Sequence, residues 1–345
     1  MALFFKSPEP KHRFKVSKEK TAITRHFTKR RVPKSKSGRV LVATWNIANL
    51  GVQGRKAGAL ELVAHILKRF DLVAVQEVKD QFKPFLKVLS HMPGFDYVMS
   101  DPAGNTERLA FVYRKNKVTP TNLFGEVALR DREFPKRTVR VKWTDKQGTQ
   151  RVDVFKGFKF RPFDRNPFIG SFEAGKLTFT LVNVHMYFGK FQNSRKKEER
   201  KKYARRVLEI YALSRWADRR FDSATCYDRD ILLLGDMNVP AMDKTESTYK
   251  ELVGFGWKPV DYTTKTGGSN LGNDKTYDQM VFTPGGMKNR AKNRGVFDFD
   301  KAVFKPLWVK IRAEKSDRAA VGLFNRHVKH LLSDHRPLWV ELDTT

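Results

Sequence analysis

The sequence of 345 residues predicts a mixed α and β fold. Short apolar runs rich in β-branched and aromatic residues alternate along the chain with stretches of helical spacing, and Gly and Pro separate them. Hydrophobic residues make up 40% of the chain, which is enough for a packed core and excludes disorder throughout. Because no internal repeat occurs, we expect one domain of about 300 residues to carry the chemistry.

The predicted strands are apolar runs that end at polar or turn-forming residues. In chain order they are Val40–Ile47, Leu72–Gln76, Leu109–Tyr113, Val139–Trp143, Phe168–Phe172, Leu177–His185, Ile231–Leu234, Met280–Phe282 and Pro337–Leu342. Two segments have apolar residues on one helical face. They are Ala57–Arg69, with Leu60 and Val63, and Lys196–Arg219, with Ile210.

The chain carries 68 Lys and Arg against 37 Asp and Glu, a formal net charge of +31. Such a charge predicts a polyanionic partner, with nucleic acid first and an anionic membrane surface second. Basic residues are concentrated in three segments. Residues 1–40 hold 13 cations against 2 acids, residues 190–206 hold 9 against 2, and residues 286–330 hold 12 against 4.

The first basic segment predicts a flexible arm over residues 1–38, followed by a catalytic domain over residues 39–345. Its Lys, Ser and Pro content and weak apolar periodicity favour a mobile tail that neutralises phosphates or contacts acidic lipid. A solvated tail without a task and an organelle-targeting peptide remain alternatives.

A single cysteine, Cys226, excludes an intramolecular disulfide and a cysteine-based metal site, which fits a reducing compartment. No apolar run approaches the roughly 18 residues of a membrane span. The apolar stretch near the start of the chain is too short for a secretory signal. We therefore expect an intracellular protein, either cytoplasmic or in the nucleoid or nucleus.

Five predicted strands end in residues that burial alone would not select. These ends are Trp45-Asn46, Gln76-Glu77, His185, Asp236-Met237-Asn238 and, before the last strand, Asp334-His335. One such residue usually caps a helix or forms a turn. Five of them indicate a functional site, because strand ends converge on one rim of a sheet.

The oxygen-bearing side chains at these ends favour magnesium, with manganese or calcium as alternatives, over zinc. Glu77 and Asp334 are the first candidate metal ligands. Two histidines, His185 and His335, supply a base and an acid near neutral pH.

Each histidine needs a partner that sets its tautomer. Candidates are Glu107, which precedes the strand at Leu109, and Asp278, which precedes the strand at Met280. Taken alone, either carboxylate is more typical of an exposed surface residue than of a histidine partner.

Six sequence blocks together resemble the endonuclease/exonuclease/phosphatase superfamily, which includes deoxyribonuclease I, apurinic endonucleases, sphingomyelinases and inositol polyphosphate phosphatases. In the family's order they are Thr44-Trp45-Asn46, Gln76-Glu77, Asn183-Val184-His185, Gly235-Asp236-Met237-Asn238, Tyr277-Asp278 and Ser333-Asp334-His335. The resemblance implies an α+β, four-layered α/β/β/α sandwich of two mixed β-sheets, with the active site at one edge.

Thr106–Arg114 and Arg165–Phe168 look like the deoxyribonuclease I branch. That likeness implies that Glu107 orients the first histidine and that Arg165 contacts a phosphate oxygen. Apurinic endonucleases have an aspartate where this chain has Ala48, which disfavours cleavage at abasic sites. A single cysteine also separates the chain from the disulfide-bonded secreted deoxyribonucleases.

The resemblance implies a set of roles for the site residues. Glu77 holds Mg²⁺, and Asn46 and Asp334 complete its surroundings directly or through water, with Asn46 also contacting substrate. Asp236 and Asn238 orient the scissile phosphate or the nucleophile.

For proton transfer, His335 with Asp278 activates water. His185 with Glu107 protonates the leaving oxygen. The roles of the two histidines are exchangeable on the sequence alone.

The charge favours nucleic acid as the substrate. The likeness to deoxyribonuclease I implies DNA over RNA and an endonuclease, and the lack of a sequence-reading motif indicates little sequence specificity. Phe155–Phe163, where aromatics alternate with cations, either stacks on bases or forms a strand with one buried aromatic face. A phospholipid or inositol-polyphosphate phosphatase and a catalytically silent nucleic-acid-binding protein are the alternatives. No protein partner is predicted.

Overall fold

The computed structural model describes residues 7–189, 196–263, 267–284 and 286–345. Its strands coincide with the apolar runs of the sequence. In chain order they are β1 (Arg39–Leu50), β2 (Leu72–Lys79), β3 (Phe95–Met99), β4 (Glu107–Arg114), β5 (Thr119–Glu126), β6 (Lys136–Thr144), β7 (Gln150–Lys159), β8 (Phe168–Ala174), β9 (Leu177–His185), β10 (Ile231–Asp236), β11 (Lys258–Pro259), β12 (Asp278–Phe282), β13 (Ala291–Val296) and β14 (Leu338–Asp343).

The helices within the described ranges are amphipathic and lie outside the sheets. They are α1 (Val16–Lys29), α2 (Ala57–Leu67), α3 (Lys83–Ser90), α4 (Lys197–Asp222), α5 (Ser247–Val253), α6 (Lys305–Glu314) and α7 (Asp317–Leu331). None of the described helices combines the length and the apolar character that crossing a membrane requires.

Two six-stranded mixed sheets pack face to face. Their strand orders are β13-β14-β1-β2-β4-β3 and β11-β12-β10-β9-β8-β5. The two-residue period of a strand divides its side chains between two layers. In β1, Val40 and Val42 enter the core between the sheets, whereas Leu41 and Ala43 enter the core under the helices. Strand β10 alternates in the same way.

Helices cover both outer faces of the sandwich. Apolar residues of α1, α2, α3, α6 and α7 pack on the first sheet. Residues of α4 and α5 pack on the second. The predicted four-layered α/β/β/α sandwich of two mixed β-sheets is therefore confirmed.

A separate two-stranded sheet, β6 and β7, packs on α4. Phe155 and Phe158 face α4, and Phe160 and Phe163 are buried nearby, while the intervening cations are exposed. Of the two alternatives for Phe155–Phe163, the strand with one buried aromatic face is the one observed.

Every predicted strand is present, with ends shifted by a few residues. The strands that the sequence analysis missed include β3, β5, β11 and β13, the four edge strands of the large sheets. An edge strand has one unpaired side and a half-exposed surface, so it lacks a continuous apolar run. The predicted helices are α2, which ends at Leu67, and α4, which runs to Asp222. The sequence analysis missed the other described helices, of which α3, α5 and α6 have ten residues or fewer.

The prediction of a flexible arm over residues 1–38 is wrong for the part that forms α1. Phe27 of α1 is buried and stacks on Phe297 with ring centroids 3.9 Å apart. His26 Nε2 lies 2.8 Å from a carboxylate oxygen of Asp298, which Arg30 also binds. The segment has few apolar residues, but they lie on one helical face and find partners far away in the sequence. The division of the chain at residue 39 remains a prediction.

Candidate active site

The polar strand ends meet at one edge of the sandwich. Strands β1 and β2 are parallel, as are β9 and β10, so their carboxyl ends lie side by side in each sheet. Antiparallel β12 and β4 bring their first residues to the same edge, where Asp278 pairs with Asp236 and Glu107 pairs with Lys79. The loop before β14 returns there because Leu338 pairs with Thr44.

The amide of Asn46 joins two carboxylates from different sheets. Its Nδ2 donates to Glu77 Oε1 at 2.9 Å and to Asp236 Oδ2 at 3.0 Å. Its Oδ1 accepts the backbone N–H of Ala48 at 2.9 Å, which settles the orientation of the amide. Glu77 Oε2 also accepts the backbone N–H of Asn49 at 2.6 Å. Glu77 and Asp236 are thereby held in one hydrogen-bonded unit.

The backbone around this unit is strained. Ala48, Asn49, Glu77 and Asn238 all have positive φ, at 26°, 53°, 63° and 52°. Non-glycine residues rarely occupy this region, and such strain is typical of functional sites. The ladder between β1 and β2 shifts register between Asn46 and Leu50, which turns these side chains toward the edge.

Gly235 allows β10 to reach Asp236. Its φ is 146°, and a Cβ atom there would lie 2.0 Å from the carbonyl oxygen of Val184. Only glycine fits this close approach of β10 and β9.

His335 is held from several sides. Its Nδ1 lies 2.9 Å from Oδ2 of the buried Asp278. Its backbone N–H donates to Ser333 Oγ, and its carbonyl accepts from Trp45 Nε1 at 2.8 Å. Burial by itself would lower the pKa of His335, but the charges of Asp278 and Asp236 outweigh burial and raise the pKa well above its usual value.

His185 has a matching carboxylate partner. Its Nδ1 lies 2.5 Å from Glu107 Oε1. Burial opposes ionisation of Glu107, but the adjacent His185 charge lowers the pKa of Glu107 to about 2. Burial and the charge of Arg165 lower the pKa of His185, yet Glu107 more than compensates and raises it. Both predicted histidine–carboxylate pairs are therefore present in the structure.

Asp236 lies between the two imidazoles. Its Oδ2 is 3.5 Å from His185 Nε2 and 3.6 Å from His335 Nε2. Burial would raise the pKa of Asp236, but the two histidine charges and the Asn46 amide lower it. An anionic oxygen thus stands between two oriented proton carriers.

The side-chain atoms that could bind a metal here fit a hard divalent cation. They do not come from the predicted first ligands, Glu77 and Asp334. Ligand atoms of Asp236, Asp278 and His335 lie within 4.8 Å of one another. Glu77, which is half-buried, joins this group through the Asn46 amide. Oxygen-rich donor sets of this kind favour magnesium or manganese.

Asp334 lies farther from the buried centre of the site than the prediction of a metal ligand implies. Its side chain is 34% exposed, and its Oδ2 contacts Lys329 Nζ at 2.5 Å. Asn46 turns its Nδ2 rather than its Oδ1 toward Glu77, so direct ligation through oxygen is disfavoured in this arrangement. The roles of Asp334 and Asn46 as metal ligands remain predictions.

Arg165 is buried beneath the site instead of facing it. Its side chain is 2% exposed. The guanidinium donates to the carbonyls of His185 and Met186, each at 3.0 Å, and to Asp164. These contacts support the loop after β9 and disfavour the predicted grip on a phosphate oxygen. Asn238 also reaches this loop, donating through Nδ2 to the carbonyl of Met186 at 3.0 Å.

Three residues around the site received no role in the sequence analysis. Tyr277 packs its ring on His335, with centroids 6.0 Å apart. Arg336 is fully buried and binds Asp300 through two hydrogen bonds of 2.7 and 2.8 Å, which anchors the loop that carries His335. Arg206 of α4 is 2% exposed, and its Nε is buried without a hydrogen-bond partner in the described chain. The available signals were a place within or beside a recognised block for Tyr277 and Arg336, and a place in the basic segment 190–206 for Arg206.

Glu209 of α4 supports the same loop from below. It accepts the backbone N–H of Tyr187 at 2.8 Å and lies 3.4 Å from Arg205. Burial raises the pKa of Glu209 to about 7.

We expect Glu209 to destabilise the folded state as the pH rises. Its carboxyl ionises near pH 4.3 in the unfolded chain and near pH 7 in the folded one. The neutral form therefore stabilises the fold fully below about pH 4.3, and this contribution is lost as the pH rises through 7. Between pH 5 and 8 the wild type should lose about 2 kcal/mol more than Glu209→Gln. Urea unfolding of both proteins at the two pH values measures this, and identical pH dependence would contradict it.

Comparison with known proteins finds similarity in structure only. No protein-family model and no curated protein sequence matches the chain. An endonuclease/exonuclease/phosphatase protein of Bacteroides vulgatus has a TM-score of 0.49 at 15% identity, covering 88% of this chain and 98% of that one. A Bacteroides thetaiotaomicron mannosyl-6-phosphatase gives 0.46 at 18%, covering 88% and 99%. D. rerio TDP2, solved with a single-stranded DNA product, gives 0.47 at 13%, covering 89% and 99%.

The first of these structures carries the name of the superfamily that the sequence motifs resemble. The two packed mixed sheets with helices on both outer faces are the fold that the sequence resemblance implies.

Proposed function

We propose that the chain is a divalent-metal-dependent phosphodiester hydrolase of the endonuclease/exonuclease/phosphatase superfamily, acting on nucleic acid inside the cell. One observation carries the chemistry. The Asp236 carboxylate lies between two imidazoles, each oriented by its own carboxylate, and is tied through Asn46 to the accessible Glu77.

In this proposal His335 in its neutral form accepts a proton from the attacking water through Nε2. A divalent cation held by Glu77 and Asp236 would favour the neutral form, because its charge would offset the carboxylates that raise the pKa of His335. The carboxylate of Asp278 holds Nδ1 and stabilises the imidazolium that forms. His185, in its protonated form, donates through Nε2 to the leaving oxygen, with Glu107 in the corresponding position. Asp236 faces both nitrogen atoms and keeps them directed at the same small volume. Asn238 braces the loop after His185.

Glu77 and Asp236 are the ligands that best match a magnesium ion, with Asn46, Asp278, His335 and Asp334 around them. When bound, such an ion neutralises the charge that develops on phosphate oxygens. The residues of the chain supply the remaining functions. They exclude water on the buried side, orient both imidazoles and hold the proton at a defined nitrogen atom.

Nucleic acid is the proposed substrate because exposed cations flank the site. The first turns of α4 present Lys197, Lys201 and Lys202 to solvent. Residues 190–195, which belong to the same basic segment, lie outside the described residues. Polymeric phosphate releases counterions from such a surface, whereas a small phosphate gains little from it. We propose DNA in preference to RNA, cut internally and with little sequence specificity.

The substrate class is tested with the purified protein and Mg²⁺. Supercoiled plasmid, a single-stranded RNA and vesicles containing phosphoinositides are incubated separately, with a chelator as the control. We expect nicked and then linear plasmid and no released inorganic phosphate from the vesicles. Release of phosphate from lipid without nicking would replace the proposal by a lipid phosphatase, and binding of DNA without any product would indicate a catalytically silent protein.

A further inference from the structure

A cationic pocket lies between the end of β7 and the first three turns of α4. Its volume is about 210 Å³. Five cations and one carboxylate, Glu198, line it together with aromatic and apolar side chains. The cations are Lys159, Arg161, Lys201, Lys202 and Arg205.

Two of the five cations already have partners. Lys202 pairs with Glu199 at 2.9 Å, and Arg205 pairs with Glu209 at 3.4 Å while covering the ring of Tyr187 at 4.0 Å. Within the described ranges, no ion pair engages Lys159, Arg161 or Lys201. The pocket therefore has a net positive charge, because five cations line it against the single carboxylate of Glu198.

The pocket adjoins the candidate active site through the segment that follows β9. Tyr187, which lines the pocket, is two residues beyond His185. Its backbone N–H binds Glu209, and the two preceding carbonyls bind Arg165, so this segment is held on both sides. The pocket thus begins within two residues of His185, along a backbone segment that hydrogen bonds hold in place.

An exposed aromatic ring lies on the same segment. Phe188 is 65% exposed, an unusual state for a phenylalanine in a buried neighbourhood. The next residue, Gly189, lies against α4 so closely that a Cβ atom there would be 2.7 Å from Lys202 Cβ. Phe188 therefore carries an exposed ring directly between the pocket-lining Tyr187 and a glycine that lies against α4.

We propose that this pocket is a subsite for the nucleotide next to the scissile phosphate, which rests on the proposed nuclease function. The next phosphate along the strand binds between Arg161 and Lys201, which stand on opposite walls, and Phe188 stacks on the adjoining base. A base that stacks on Phe188 must be unpaired, so the subsite favours a strand that is single or locally unpaired, as parts of a supercoiled plasmid are.

The test compares two substrates on one double variant, Arg161→Gln with Lys201→Gln. A fluorescent single-stranded oligonucleotide has neighbouring phosphates, and bis(p-nitrophenyl) phosphate has none. We expect kcat/KM to fall about tenfold or more on the oligonucleotide and to stay within about twofold on the small diester. Both side chains are exposed, so thermal unfolding should be unchanged.

Binding is measured separately by fluorescence anisotropy without metal, as a function of salt. Each lost phosphate contact lowers the slope of log Kd against log salt by about 0.7 for a single strand, so the double variant, which loses the one phosphate held by Arg161 and Lys201, should lose about 0.7. Phe188→Ala should weaken binding on the order of tenfold, because one stacked base is worth about 1 to 3 kcal/mol.

The matched control is Lys310→Gln with Lys315→Gln. These lysines are equally exposed but lie at the α6 end of the opposite outer layer. Three results would overturn the subsite. The first is an equal loss of salt slope in both double variants, and the second is an equal loss of activity on the oligonucleotide and on the small diester. The third is tighter binding to phosphoinositide vesicles than to the oligonucleotide, if the same substitutions weaken it. If the substitutions weaken oligonucleotide binding as expected but the wild type cleaves no substrate, the result would count against the nuclease proposal alone.

Discussion

Replacing His335 by alanine is expected to lower phosphodiester hydrolysis by at least about a hundredfold, the usual scale for loss of a general base. The imidazole is the part of the site whose position is most strongly determined. Asp278 holds one ring nitrogen at 2.9 Å, and Ser333 and Trp45 hold the backbone of the residue. Alanine removes the ring and leaves these supports in place, so the loss should appear in kcat.

The control for this variant is His65→Ala. His65 lies on α2 in the outer layer, where it contacts Thr24 Oγ1 at 2.9 Å. Its activity should match the wild type. Near-normal turnover by purified, folded His335→Ala would exclude His335 as the base.

Asp278→Asn separates positioning from chemistry. The Asp278 charge is among the causes that raise the pKa of His335, so its removal should lower that pKa. The limb of the pH–rate profile that belongs to His335 should then move to lower pH while the imidazole is retained. A limb that does not move would assign it to another group, with His185 the first candidate.

Replacing Glu77 by glutamine should also lower hydrolysis by at least about a hundredfold. The side chains have the same shape, and Asn46 can still donate to the remaining carbonyl oxygen. What is lost is one negative charge at the accessible side of the site, together with the acceptor for the Asn49 N–H, because the NH2 group of glutamine cannot accept a hydrogen bond. We expect weaker Mg²⁺ binding by calorimetry and a higher Mg²⁺ concentration for half-maximal rate.

Glu314→Gln removes the same charge from the exposed end of α6 and should change neither quantity. If Glu77→Gln kept both its rate and its metal affinity, Glu77 would have no part in metal binding. Loss of rate with unchanged metal affinity would instead place Glu77 on the substrate side of the site.

Much of this site is predictable because buried strands have a regular pattern of apolar residues in the sequence. A buried strand needs an apolar residue at nearly every position, so the polar residue that ends it, such as Glu77 or His185, stands out. The same pattern locates β1, β2, β9 and β10 and the order of their ends. The edge strands lack this pattern, since half of their surface faces solvent.

Other features depend on partners that no local pattern reveals. The basic composition around Phe27 indicates a free arm, but Phe297 and Asp298 hold that helix from 270 residues away. The sequence predicts Arg165 as a phosphate ligand. In the structure its guanidinium donates to two backbone carbonyls at the end of β9 instead.

The sequence by itself determined which chemical groups this protein has at its strand ends: hard oxygen donors, two imidazoles, and a carboxylate for each. Only the tertiary structure decided that one oxygen of Asp236 lies about equally far from His185 and His335, and that Asn46 ties it to Glu77. Residue types follow from local selection for burial and chemistry. Distances between residues far apart in the chain follow from the pairing register of two sheets and the packing between them, which are properties of the whole fold.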